Sequence, residues 1–435
     1  MFLYNTPQSL VMSCILTDKK KRANQLKHFT RGYDKFHDSS ASCESKEAHD
    51  LHLVKPDKRR PLYLSPDAPD LSQRAQPLEL LFLLNLLIMA AEQHVNLAAV
   101  LPVKQGMLTI RERPIPTPGQ GELLVQTEVV AANPSDWMVQ SLGVIVTKFP
   151  AVLCSDLAGV VVSAGPGVTR FQPGDRVMGF AVGMVQENSD EAALQNYTIL
   201  KETATSHLPN NITFEQGAAL PVAMTTASVM LFADLELPMR ERNAQELGAI
   251  LVWSGASAVG VAAIQIAHAL GWSVYATASP KHHGWLKRLG ATNVWDYHDP
   301  DVAQVIGKAA RAAGFKIRGV VDARSQGSSF DLVAATLIAA DSCSGTRIST
   351  VLPWPEDKPK PQGVQVAGAD CFRFQSDRQD IAQWLFGHWL KQSLEDGIVE
   401  PAPEPRVIEG GLGGAQKMLD TLKAGVSGEK LVLKL

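Results

Sequence analysis

Residues 1–88 show no sustained period of 2 or 3.6 before Pro77, whereas from about Asn96 onward short apolar runs alternate densely with turn residues. Residues 97–100, 123–130 and 157–163 are strand-length apolar stretches. Around them stand Pro114, Pro116, Pro118 and Gly119, then Gly165-Pro166-Gly167 and Pro173-Gly174-Asp175, turn chemistry that predicts a compact, irregular β-rich barrel. After Gln216 the pattern changes to long apolar helical segments separated by β-branched runs at 250–253, 273–277, 293–295, 319–322 and 347–352. Strand, helix, strand in repetition predicts a parallel α/β sheet with right-handed crossovers.

Composition narrows the class. At ~100–200 residues per domain, 435 residues imply two or three domains. With 45% hydrophobic residues, 20% charged residues and a net charge of -3, the chain is ordinary globular protein and not a basic nucleic-acid binder. Residues 1–88 carry 13 Lys/Arg against 10 Asp/Glu, leaving 28 against 34 for the remainder. This break, with Met89-Ala90-Ala91-Glu92 reading as a natural start, marks residues 1–88 as an irregular N-terminal extension, disordered or from a mis-called start, although residues 78–91 also read as a helix. The five cysteines, Cys14, Cys43, Cys154, Cys343 and Cys371, are scattered and odd in number, which argues for reduced thiols in a cytoplasmic protein. Among apolar runs, 80–91 is about half the ~20 residues a membrane span needs, and no basic region precedes the apolar start, so neither membrane nor secretory targeting is expected.

The strand-like run 248–253 is followed by Ser254-Gly255-Ala256-Ser257-Ala258-Val259-Gly260 and an apolar helix over 261–270. This is the strand, turn and helix context of a dinucleotide site: Gly255 for the tight turn, Ser257 where the second glycine of the fingerprint stands, Gly260 for helix–strand packing, and helix N–H groups for the pyrophosphate. The next strand ends in Ala278-Ser279-Pro280-Lys281-His282-His283. A site for NAD normally places Asp or Glu there, about 20 residues after the loop, to accept from the ribose 2′-hydroxyl. Ser279 and Lys281 instead suit a 2′-phosphate and hence NADPH. His282 and His283 have no third ligand beside them in sequence, so no metal is expected.

Further motifs complete a recognisable order: Pro116-Thr117-Pro118-Gly119-Gln120-Gly121-Glu122, Asn133-Pro134-Ser135-Asp136-Trp137, Ser155-Asp156-Leu157-Ala158-Gly159, Pro173-Gly174-Asp175-Arg176-Val177, Ala218-Ala219-Leu220-Pro221 before Thr225-Thr226-Ala227, Lys287-Arg288-Leu289-Gly290-Ala291, and Ser427-Gly428-Glu429-Lys430-Leu431-Val432. From about residue 95 to the end, the chain resembles the zinc-independent branch of the medium-chain dehydrogenase/reductase superfamily, especially fungal quinone-oxidoreductase-like proteins and trans-acting enoyl reductases. The resemblance implies an α/β fold: a GroES-like β-rich catalytic domain over 95–223, completed by 386–435, plus an inserted Rossmann parallel-sheet domain over 224–385. It further implies that Asn133, Pro134, Ser135 and Asp136 approach the nicotinamide. Ala256, Ser257, Ala258 and Val259 would hold the pyrophosphate, Ser279, Pro280, Lys281 and His282 the 2′-phosphate, with Tyr297 near the adenine and Leu352 and Pro353 bordering the nicotinamide.

Zinc-dependent relatives carry a cysteine ligand early in the catalytic domain, a Gly-His-Glu element and often a lobe of four cysteines. Here Asn133 and Pro134 stand in the first region and Cys154-Ser155-Asp156 in the second. Without a Lewis acid to steady an alkoxide, the expected chemistry shifts toward reducing an activated double bond. Two departures from the family pattern are Cys154, where glycine is common, and Arg324, where a small or apolar residue is usual. The expected activity is an NADPH-dependent reduction of a conjugated C=C or carbonyl compound, and the resemblance implies an enoyl reductase of fungal-type, polyketide-related secondary metabolism. The substrate is small or acyl-carrier-bound, a polyketide synthase is a candidate partner, and the protein is a monomer or homodimer. The alternatives are a stand-alone quinone or enone oxidoreductase and an NADPH-binding protein without turnover. Thr225 and Thr226 read as cleft hydroxyls or helix caps, and Trp137 and Trp354 as pocket walls or core.

Overall fold

The computed structural model describes residues 95–239 and 248–435. The expectations for residues 1–88 and for the apolar run 80–91 therefore lie outside the described residues.

Short alternating strands separated by Pro and Gly build the first half: β1 (Asn96–Leu101), β2 (Thr109–Arg113), β3 (Glu122–Ala131), β4 (Ala151–Val152), β5 (Asp156–Ala164), β6 (Arg176–Phe180), β7 (Tyr197–Lys201) and β8 (Thr205–His207). A helix, α1 (Pro134–Leu142), follows β3 directly. β9 (Ala249–Trp253), β10 (Ser273–Thr277), β11 (Asn293–Trp295), β12 (Ile317–Asp322), β13 (Arg347–Thr350) and β14 (Gln365–Gly368) form the parallel sheet. Its order, β11-β10-β9-β12-β13-β14, reverses direction at β9, which places a crevice at the carboxyl end of that strand. The first five strands fall where the apolar runs predict them. β14 was not anticipated, because its four residues are half-buried or exposed at the sheet edge and carry no apolar run.

The chain then returns to the first half through β15 (Glu404–Val407) and β16 (Glu429–Lys434). β16 lies between β15 and β3 in a sheet ordered β15-β16-β3-β5-β6-β8, with Val432 opposite Ala131. The carboxyl-terminal strand thus joins a sheet built from the first half and sits beside the residues that enter α1.

The longer helices of the second half are α2 (Pro221–Val229), α3 (Ala258–Ala269), α4 (Val302–Ala312) and α5 (Ser329–Ala339). Alternation along β9 sorts its side chains between two layers: Ile250 and Val252 pack with α3, while Ala249, Leu251 and Trp253 pack with Val302, Ile306 and Val333 of α4 and α5. Covering both faces explains why the run reads as continuously apolar. Each such fully buried Val, Leu or Ile contributes ~1.5–3 kcal/mol of transfer free energy. The α3 core also includes α2 and, from the barrel, Ala158, Met178 and Phe180, so one cluster of buried side chains joins the two halves. The helical run Phe214–Asp234 is 21 residues long and apolar enough to cross a bilayer, but 83% of its apolar window is buried inside the protein.

Candidate active site

The loop after β9 is tied down from several directions. Gly255 N donates to Thr277 O at 2.8 Å and Ser254 N to Thr277 Oγ1 at 3.1 Å, joining the ends of β9 and β10. Ser257 caps α3: its Oγ accepts from Gly260 N at 3.1 Å and donates to Ser254 O at 2.9 Å. The helix therefore starts at Ala258, three residues before the apolar run suggests, because the capping serine precedes that run. The left-handed turn residue is Ser254, with φ of 65°, and not Gly255. The requirement at Gly255 is close packing, since a Cβ there would lie 3.0 Å from Ile264 Cδ1 and 3.2 Å from Ala276 Cβ. At Gly260 a Cβ would lie 2.4 Å from Ser254 O, so only glycine allows this helix to approach its strand. Ala256, Ser257, Ala258 and Val259 are half-buried, and first-turn amides of a helix lack intrahelical partners. A pyrophosphate fits this arrangement.

The turn after β10 gathers the other expected cofactor residues. Ser279 Oγ lies 3.5 Å from Tyr297 Oη, bringing together two side chains 18 residues apart. Pro280 and Lys281 are exposed and His282 is half-buried. His283 turns back on its own loop, donating from Nε2 to Ala278 O at 2.9 Å, while His282 shares a hydrogen bond with Ser427 at 2.9 Å. The two imidazoles thus serve different partners. Burial and the neighbouring Lys281 and His283 hold the His282 pKa below its ordinary value. Leu352 and Pro353 follow β13 and therefore stand on the same carboxyl edge of the sheet.

That edge is cross-linked by hydrogen bonds after β12. Buried Asp322 accepts from Arg324 N, Ser325 N and Ser329 Oγ at 3.1, 2.9 and 2.8 Å, and Ser325 Oγ accepts from Val351 N at 3.0 Å. Burial pushes the Asp322 carboxyl above its usual range. The side chain of Arg324 is exposed, so the departure at that position leaves the loop intact.

In the barrel half, Asn133 and Asp136 join a buried polar network. Lys430 Nζ donates to Asn133 Oδ1 at 2.6 Å and to Asp156 Oδ2 at 2.8 Å, and Asn133 Nδ2 donates to the same Asp156 oxygen at 2.8 Å. The other oxygen, Oδ1 of Asp156, accepts from Val222 N at the start of α2 at 2.7 Å. Asp156 is fully buried and Lys430 is 4% exposed, so the pair is shielded from water and salt. Four segments distant in sequence are thereby clamped: the entry to α1, β5, the start of α2, and β16. Asp136 Oδ2 accepts from Asn133 N at 2.6 Å, while its Oδ1 finds no nitrogen or oxygen donor and has the Cys154 thiol as polar neighbour. Burial pushes the Asp136 carboxyl up to about 7, against the opposing effects of the Asn133 amide and Lys430. Burial and the Asp136 charge push the Cys154 thiol well above its ordinary range, so Cys154 is held as a neutral thiol. Its φ of 68° is the conformation that glycine would adopt without strain.

Thr225 and Thr226 are not caps. They lie inside α2, where each hydroxyl donates to the carbonyl four residues earlier, Pro221 O and Val222 O, at 2.7 Å. Pro221 in the first turn is the signal for this earlier helix start. Thr226 also hydrogen-bonds Cys371, whose thiol burial pushes up to about 12. The segment after β14 therefore reaches α2, and Phe372 and Phe374 pack on Phe180 of β6 with ring centroids 5.4 and 5.1 Å away. Trp137 packs on the barrel core. Trp354 packs edge-on against Phe330 on the α5 side of the sheet and donates to Lys358 O at 3.1 Å, so it is core and not a cleft wall. Lys430, Asp156, Val222 and Ser427 were missed as site residues. Asp156, Lys430 and Ser427 lie within recognised motifs, but their partnerships exist only in the fold.

Comparison with known proteins agrees with this arrangement. Residues 119–217 match the alcohol dehydrogenase GroES-like domain. The chain is 37% identical over 354 residues to the dehydrogenase azaJ of Aspergillus niger, covering 78% of this chain and 99% of that protein. It is 38% identical over 351 residues to the trans-enoyl reductase tndF of Aspergillus flavipes, covering 78% and 98%. The structure of mycobacterial Rv1454c complexed with NADPH superimposes with a TM-score of 0.61 at 24% identity, over 79% of this chain and all of that one. The final strand returned to the β-rich half, the dinucleotide loop at the sheet's switch point and 37–38% identity over nearly the whole length of these relatives lead to one assignment: the chain belongs to the medium-chain dehydrogenase/reductase family of nicotinamide-dependent oxidoreductases.

Proposed function

We propose that the protein is an NADPH-dependent, zinc-independent reductase of a conjugated carbon–carbon double bond, acting on an enoyl thioester of fungal-type secondary metabolism. The observation that carries the cofactor half is the turn after β10: Ser279 and Lys281 lie where an NAD site would need a carboxylate, and Tyr297, after β11, stands 3.5 Å from Ser279. Similarity to a trans-enoyl reductase along nearly its whole length supports the substrate half. In this reading the acyl group arrives on a carrier from a polyketide synthase.

A zinc ion does not fit the donor set. Among the described residues no group of three or more His, Cys, Asp or Glu side chains is placed to hold a metal. The Lys430 ammonium already supplies positive charge between Asn133 and Asp156, and both oxygens of Asp156 are engaged. The cofactor, when bound, supplies a hydride to the electrophilic carbon. The chain's own residues position the reactants. The loop from Gly255 to Gly260 binds the pyrophosphate, and the Lys430–Asp156–Asn133 network fixes the 133–137 segment against α2. The hydroxyl protons of Thr225 and Thr226 are committed to backbone carbonyls, so these residues do not donate to an enolate oxygen. The enolate takes its proton from solvent.

The test is NADPH consumption with a panel of enoyl thioesters, simple enones and quinones. Turnover favouring the thioesters supports the proposal. Turnover confined to quinones or enones assigns a stand-alone oxidoreductase instead, and tight binding without consumption of NADPH refutes enzymatic reduction.

A further inference from the structure

The turn expected to meet the 2′-phosphate is touched by the other half of the molecule. His282, in that turn, shares a 2.9 Å hydrogen bond between Nε2 and the Ser427 hydroxyl, 145 residues away. Ser427 and Gly428 form the turn that leads into β16 of the barrel sheet. Gly428 has φ of 72°, and a Cβ there would lie 2.6 Å from His282 Cε1, so this position must be glycine for the imidazole to sit where it does. The ring also lies near Trp285, with centroids 5.7 Å apart and the planes tilted. The imidazole is thus held by its own helix start and by a turn from the opposite half. Lys281, beside it, is exposed and free to reach an anion.

We propose that Ser427 is a specificity-determining positioning residue for the 2′-phosphate of the cofactor: from the barrel half it orients His282, so that phosphate recognition depends on both halves of the molecule. This rests on the NADPH reading above and assigns part of that recognition to a residue outside the Rossmann sheet. The physical basis is preorganisation. A side chain already fixed by a hydrogen bond loses less rotamer freedom when it meets its ligand. A neutral hydrogen bond contributes ~1 kcal/mol, which corresponds to about fivefold in affinity.

The test uses the full chain and two probes that differ only in the phosphate, 2′,5′-ADP and 5′-AMP, with affinities measured by calorimetry. Ser427→Ala is expected to weaken 2′,5′-ADP about fivefold and leave 5′-AMP unchanged, while Ser427→Thr, which keeps the hydroxyl, retains the wild-type preference. In the double-mutant cycle, Ser427→Ala should add little to His282→Ala, because one acts through the other. A purely structural role in docking β16 would instead weaken both probes and lower the Tm. Equal losses on both probes, no loss on either, or independent multiplicative losses in the cycle would each overturn the proposal. A wild-type protein that fails to distinguish the two probes removes the NADPH reading and this inference with it. A wild-type preference left intact by Ser427→Ala removes this inference alone.

Discussion

Replacing Asp136 with Asn isolates the charge at a fully buried carboxyl of the barrel half. Asp136 is fully buried, accepts one backbone hydrogen bond from Asn133, leaves its Oδ1 without a nitrogen or oxygen donor and has the Cys154 thiol beside it. Burial therefore outweighs Lys430, and the carboxyl sits at about 7 in place of 3.8. A raised carboxyl pKa means the folded state binds more protons than the unfolded chain between those two values, so stability falls as pH rises through that window. At ~1.36 kcal/mol per unit, the ionised form costs the fold on the order of 4 kcal/mol once the pH exceeds about 7. Asparagine keeps an acceptor for Asn133 N and has no charge to bury. The difference in unfolding free energy between Asp136→Asn and wild type should thus shift in favour of the variant by about 3 kcal/mol between ~pH 4.5 and ~pH 7.5, read from urea unfolding at each pH. A difference constant to within about 0.5 kcal/mol would mean that Asp136 ionises normally in the folded protein and would refute the reasoning.

Lys430→Met removes one partner of a buried ion pair and should cost ~3–5 kcal/mol in denaturant unfolding; a cost under ~1 kcal/mol would show that the pair is not desolvated. Lys281→Ala should weaken NADPH by ~1.5–3 kcal/mol while leaving NADH nearly unchanged, and equal weakening of both in fluorescence titrations would sink the 2′-phosphate assignment. Metal analysis of the purified protein should find no stoichiometric zinc, and chelators should leave turnover intact. A tightly held zinc needed for activity would overturn the zinc-independent reading.

The parallel sheet was legible because its central strand β9 is buried on both faces and reads as an unbroken apolar run among shorter β-branched runs, and the dinucleotide loop because its residues are contiguous. Where local signals competed, the backbone followed the earlier one: Ser257 starts α3 ahead of the apolar run that suggested a later start, and Pro221 starts α2 ahead of Thr225 and Thr226, which also read as caps. β14 was invisible because an edge strand of four half-exposed residues leaves no period to detect. The Asn133–Asp156–Lys430 network was out of reach for a different reason. Its members are separated by up to 297 residues, and nothing in the character of any one of them announces the other two. The same holds for Ser427 and His282. Sequence motifs marked these positions, and only the return of β16 beside β3 gave them partners.

The most direct measurement follows the hydride itself. NADPH carrying deuterium at the transferable position of its nicotinamide is incubated with the full chain and an enoyl thioester, and the product is analysed by mass spectrometry. The proposed function predicts a saturated thioester bearing one deuterium at the carbon β to the carbonyl, with unlabelled solvent supplying the hydrogen at the α carbon. Saturated product without deuterium at the β carbon, or no saturated product while NADPH remains tightly bound, would contradict it.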